Sequence, residues 1–92
     1  MNTFFMFGTY TKDAIKGIAA KRTERARTEI EGFGGKLHSV YALLGAYDLV
    51  IIAELPGIQE AVQVSVALSR ETGIMFKTYP AITVADFDSA IG

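Results

Sequence analysis

Apolar residues fall into runs of two kinds along this chain, and their order predicts the architecture. Thr3–Tyr10 is aromatic, uncharged and almost continuously apolar, the pattern of a strand covered on both faces. From Thr11, a residue type that caps helix N-termini, to about Gly32 the period changes. Ile15, Ile18, Ala19, Ala26, Ile30 and Phe33 share one stripe at helical spacing, with an irregularity expected near Gly17. Gly34-Gly35 ends this helix, because glycine accepts the left-handed cap. Lys36–Leu44 and Asp48–Leu55 read as strands joined by the tight turn Gly45-Ala46-Tyr47, and so short a connection makes a hairpin. Pro56-Gly57 breaks the second of them. Ile58–Thr72 is mixed: Val62, Val64 and Val66 alternate, while Ile58, Ala61, Val62 and Leu68 share a helical face. Its length and its flanking breakers decide for a helix. Ile74–Val84 is then the last strand, and Asp86–Ile91 a short terminal helix.

The order βαββαβ is the split-βαβ, ferredoxin-like arrangement of an α+β protein. Right-handed crossovers place both helices on one face of a four-stranded antiparallel sheet. If a three-residue turn sets Leu44 opposite Asp48, one face holds Leu37, Ser39, Tyr41 and Leu43 with Leu49, Ile51, Ala53 and Leu55. The other holds His38, Val40, Ala42 and Leu44 with Asp48, Val50, Ile52 and Glu54. The first suits the helices. The second is apolar in its middle, where a solvated face would carry more charge. We expect it to pack on a second sheet, as a dimeric α/β barrel built by a homodimer or a higher homo-oligomer.

Length and composition narrow the function. A chain of 92 residues has room for one core, so a single domain over 1–92 is expected. Its surplus of aromatic and β-branched residues favours a subunit interface. There is no cysteine and one histidine, which removes disulfide, thiolate and multi-histidine metal chemistry from one subunit. The formal net charge is -1, which argues against nucleic-acid binding. No apolar run approaches the roughly 18–20 residues of a membrane span. Met1–Tyr10 has no basic leading segment, so no signal peptide is read and a cytoplasmic setting is expected.

The hairpin carries a specific phrase: Tyr41, then Leu44-Gly45-Ala46-Tyr47-Asp48-Leu49-Val50, then Glu54 and Pro56. With Tyr10-Thr11, Arg22, Gly34, Gly73, Ala81 and Asp86, it resembles the GYD domain family over most of the chain. The resemblance implies a ferredoxin-like, dimeric α/β-barrel fold without fixing an activity. The chain departs from the family's pattern at Ala14, where glycine is usual, and at Ile74-Met75-Phe76 and Pro80, where basic residues are usual. Lys77 is the substitute cation near the last strand's start. The second half is also similar to the effector-binding module of leucine-responsive regulators, but no helix-turn-helix precedes it.

The candidate ligand-binding residues are Tyr10, Arg22, His38, Tyr41, Tyr47, Asp48 and Glu54. Asp48 and Gly45 are turn formers, and Tyr47 beside them forms a lip of the expected cleft between the sheet and its dimer partner. Arg22 lies inside an apolar stripe. It needs an anionic partner, for which Asp48 and Glu54 are candidates, unless it swings outward or clamps a ligand carboxylate or phosphate. His38 and Glu54 face each other in the assumed register, either as a half-exposed polar pair or as a general base. Tyr10 and Tyr41 sit near strand ends. The cations from Lys12 to Arg27 read as a solvated helix face, with Glu24, Glu29 and Glu31 as partners. The leading expectation is a small-ligand-binding or regulatory module with an unknown cofactor, if any. The alternatives are a cofactor-independent or haem-linked oxygenase and a purely structural assembly protein.

Overall fold

The computed structural model describes residues 1–16 and 21–92. In chain order the elements are β1 (Asn2–Thr9), α1 (Lys12–Lys16), α2 (Lys21–Gly32), β2 (Lys36–Ala42), β3 (Leu49–Leu55), α3 (Ile58–Thr72), β4 (Met75–Ala81) and α4 (Val84–Ile91). The strands pair antiparallel in the order β2-β3-β1-β4, the expected ferredoxin-like sheet. Gly17, Ile18 and Ala19, assigned above to a helix irregularity and to the apolar stripe, lie outside the described residues. No helix among the described residues is long and apolar enough to cross a membrane.

β1 and β3 are the inner strands, and both are apolar on both faces. Phe4 and Met6 point to the helix side and are fully buried, as are Ala53 and Leu55 of β3. Alternation sends Phe5 and Phe7 to the opposite side. Ala26 and Ile30 of α2, Ala61, Val64 and Leu68 of α3, and Ala14 of α1 close the core over the helix side.

Two apolar stripes fall differently from their sequence pattern. Ile15 is 56% exposed and the neighbouring Ala14 is buried in its place. In α3, Ile58 and Val62 face outward, while Ala61, Val64 and Leu68 make the sheet contact. The helix has an apolar arc wider than one sheet face covers, so its pattern alone does not fix its rotation.

The largest correction concerns β2. Lys36 pairs with Glu54 and Leu37 with Ala53, but Ser39 pairs with Ile52, Val40 with Ile51 and Tyr41 with Val50. His38 is an extra residue, a β-bulge. Beyond it the alternation reverses. Val40 and Ala42 lie on the helix side with Leu37, and Ser39 and Tyr41 lie on the open side, opposite to the assignment from unbroken alternation. The hairpin also closes one residue earlier than expected. The Leu43 amide donates to the Asp48 carbonyl at 2.8 Å, so Leu43, not Leu44, faces Asp48. The bulge lets two apolar residues with only polar neighbours between them, Leu37 and Val40, both reach the core.

Strand ends are set by local chemistry. β4 stops at Ala81 and does not run to Val84, because the Thr83 hydroxyl accepts from the Asp86 amide at 3.0 Å and caps a helix there. α4 therefore starts two residues before the expected Asp86. Every α4 residue is exposed, with Val84, Phe87 and Ile91 among them. Gly34 (φ 83) and Gly73 (φ 76) occupy the left-handed region; Gly73 caps α3 and Gly34 follows α2. Gly35 faces a different restriction: a Cβ there would lie 2.4 Å from the Glu54 carbonyl oxygen. That contact is with backbone and cannot move aside cheaply. Gly35→Ala is expected to cost about 1–3 kcal/mol, read as a lower urea midpoint at unchanged m-value.

Candidate functional site

A cavity of about 240 Å³ lies between α2 and the helix side of the sheet. Val40, Leu49, Ile51 and Phe76 line it from the strands, Ala26 from α2 and Leu68 from α3. It is formed within one protomer and opens at a rim, whereas the sequence reading placed a pocket between the sheet and a partner. The bulge creates part of it: by reversing β2, it brings Val40 and Ala42 to the wall.

Tyr10 and Arg22 form its polar end. The Arg22 guanidinium lies over the Tyr10 ring, 5.3 Å from the centroid, a cation–π geometry. Its Nη1 is buried with no hydrogen-bond partner among the described residues. A buried donor left unpaired costs about 1–3 kcal/mol, and more when charged. No carboxylate among the described residues lines the cavity. The Thr72 hydroxyl, also in the wall, is already used: it donates to the Leu68 carbonyl at 2.6 Å and accepts from the Ile74 amide at 3.2 Å.

Asp48 holds this end in place. Its Oδ2 accepts from the Tyr10 amide at 2.7 Å, and its own amide donates to the Gly8 carbonyl at 2.9 Å. The carboxylate thus bonds across to the end of β1, not to amides of its own turn. Thr11 continues the anchor: its hydroxyl accepts from the Ala14 amide, as the cap expected there, and donates to the Gly73 carbonyl at 2.9 Å. Tyr10 is fixed from both sides.

The other candidates sit elsewhere. Neither Asp48 nor Glu54 partners Arg22. Glu54 bonds His38 across the bulge, Oε2 to Nε2 at 2.5 Å, near the opposite end of the hairpin. The strand partner of Glu54 is Lys36, so the pair forms through the bulge and not through direct opposition. The hydrogen bond from His38 holds the Glu54 carboxyl below its ordinary range, partly offset by desolvation and helped by the charges of His38 and Lys36. Tyr47 packs on the open side, with its ring centroid 5.0 Å from that of Phe7 and the Lys77 ammonium 6.0 Å above it. Tyr79 meets Phe7 edge-on at 5.9 Å. A side-chain hydrogen bond with Tyr47 raises its phenol above the ordinary value. Tyr41 borders the cavity's rim from the edge strand β2, while its register sets its side chain on the open side, 57% exposed.

Sequence reasoning therefore found Tyr10, Arg22 and Tyr41 of the cavity, and Asp48 behind it. It missed Thr23, Ala26, Val40, Leu68, Ile74 and Phe76. No local signal marks these residues. Phe76 reaches the cavity because β4 pairs with β1 and sets it opposite Gly8, a placement that only the strand order supplies.

The strand order and the helices gathered on one side define a ferredoxin-like α+β fold. The chain belongs to the GYD domain family, whose model matches residues 4–91. It is 29% identical over 89 residues to a Thermus thermophilus protein named glutamine synthetase and cystathionine beta-lyase binding protein, covering 94% of each chain. Two solved structures share its fold. One is the leucine response regulatory protein of Mycobacterium tuberculosis, with a TM-score of 0.59 and 10% identity over 89% of this chain and 51% of that one. The chain thus spans about half the length of that regulator. The other is a hypothetical protein of Pyrococcus horikoshii, with a TM-score of 0.55 and 22% identity over 90% and 92% of the two chains.

Two measurements test this geometry. Asp48→Ala leaves the Tyr10 amide without its acceptor and is expected to lower stability by about 1–3 kcal/mol in chemical denaturation. The Glu54 carboxyl titrates below its unfolded value, so the contribution of its bond to His38 is full above the ordinary carboxylate range. That contribution is lost as pH falls through the depressed folded value. NMR of the Glu54 side chain is expected to show this low midpoint, and His38→Ala to return it upward.

Proposed function

We propose that this GYD domain protein is a small-ligand-binding regulatory module that works as a homodimer joined through its open sheet face. The observation that carries the ligand half is a cation, Arg22, set in the wall of a mostly apolar cavity with no carboxylate among its described lining residues. The dimer half is supported by the aromatic character of the open face, where Phe5, Phe7, Tyr47 and Tyr79 pack on one another. Aromatic clusters of this kind are enriched at subunit interfaces. Residues 47 and 48 give the two halves a shared part. Asp48 holds Tyr10 at the cavity, and the adjacent Tyr47 lies on the open face against Phe7. Ligand occupancy is then felt where a second copy packs.

The regulatory half draws on the Thermus relative, which is named for binding glutamine synthetase and cystathionine beta-lyase. Enzymes of those kinds are the protein partners to try first. The oxygenase alternative draws less support, because the one histidine pairs with Glu54 away from the cavity.

Native mass spectrometry tests the reading. Wild-type protein is expected at twice the 10.0 kDa chain mass, with a small molecule released on denaturation. Phe7→Lys places an ammonium in the centre of the open face and is expected to give a folded monomer. A monomeric wild type would overturn the dimer.

A further inference from the structure

We infer that the cavity beneath α2 is a site for a small monoanion, a carboxylate on a compact apolar body, gripped by Arg22. This rests on the ligand-binding reading above and names the class of ligand.

Charge comes first. Arg22 is held by stacking on Tyr10, 5.3 Å from the ring centroid, and Tyr10 is itself fixed by Asp48 at 2.7 Å. The ring offers the cation its face but no hydrogen-bond acceptor, so the guanidinium N–H groups are left to be satisfied. Nη1 is packed out of reach of solvent and unpaired among the described residues, so a ligand in the cavity meets the guanidinium through its other N–H groups. Asp48 is engaged with Tyr10 and Glu54 with His38, and Asp13 and Glu71, which border a neighbouring groove with Arg22, do not bond Nη1. A guanidinium edge matches a carboxylate bidentately.

A single trapped water answers this need poorly. A buried water requires two to four polar partners. Apart from Arg22 the walls are mostly apolar, and the Thr72 hydroxyl is already bonded on both sides.

Size and the rest of the lining narrow the class further. An apolar cavity of about 150 Å³ accepts benzene. The 240 Å³ here leaves space for a ring or a branched chain together with a carboxylate. Arg22 is the one cation among the described residues of the lining, which disfavours a dianion such as a phosphate monoester. No acidic side chain among the described residues lines the cavity either. The ammonium of an amino acid would have no counter-charge, so a plain or 2-oxo carboxylic acid fits better than the corresponding amino acid.

Calorimetric titration of the full chain with matched probes tests this. The charged probes are benzoate, 3-methylbutanoate and 4-methyl-2-oxopentanoate. The controls are benzamide, 3-methylbutanamide and leucine. The charged set is expected to bind and to raise the melting temperature, with the controls about tenfold weaker or worse, the loss that one charge-assisted bond implies. Arg22→Met is expected to abolish the carboxylate response while keeping the fold by circular dichroism. Ala42→Phe, filling the rim with Arg22 intact, is expected to block the same probes. Amides or leucine binding as well as the carboxylates, or Arg22→Met binding unchanged, would overturn the anion class and leave the ligand-binding reading standing. Failure of every probe, charged and neutral, would overturn both.

Discussion

β1 and β3 run through the middle of the sheet and are apolar on both faces, yet helices cover only one. Phe4 and Met6 have their cover from α2 and α3, while Phe5 and Phe7 lie on the open side among Val50, Ile52, Tyr47 and Tyr79. The other features follow from this imbalance. On the helix side the apolar residues must meet a small set of helical contacts, and they leave a gap where α2 bridges to the sheet. On the open side the aromatic side chains pack on one another and stay half-exposed. Burying that second layer is where the proposed dimer would draw its stability.

Much of the architecture was legible because it rests on periodicity and on chain breakers. The four strands, the hairpin at residues 45–47, the helix over Ile58–Thr72 and the role of Gly34 follow from patterns a few residues long. The errors share a different cause. His38 looks like any alternating strand residue, but it is inserted as a bulge so that Leu37 and Val40 can both face the core. That requirement comes from the partner strand and not from β2 itself. Ile15 and Ala14, and Val62 and Val64, exchange their expected burial for the same reason. A helix with a broad apolar arc takes its rotation from the surface it meets.

The site divides along similar lines. Arg22 was visible as a cation in an apolar stripe, an inconsistency between local pattern and charge of the kind that often marks function. Its surroundings were not visible, because Phe76, Ile74 and Leu68 come from the far end of the chain. Asp48 was visible as a turn former, while its actual acceptor role toward Tyr10 depends on how β1 ends beside β3.

Gly8 is the quietest residue in this arrangement. A Cβ there would come within 2.6 Å of Leu49 Cδ2 and 2.8 Å of Ile74 Cγ2, and both of those side chains line the cavity. The space they occupy exists because residue 8 has no side chain. A larger residue at this position would push them inward and shrink the cavity from below, without touching Arg22 or Tyr10. In the proposed site, ligand size and ligand charge would therefore be set at separate positions. A lineage holding such a site would drift from bulky to short acids by one change in a strand, keeping the proposed grip on the acid group throughout.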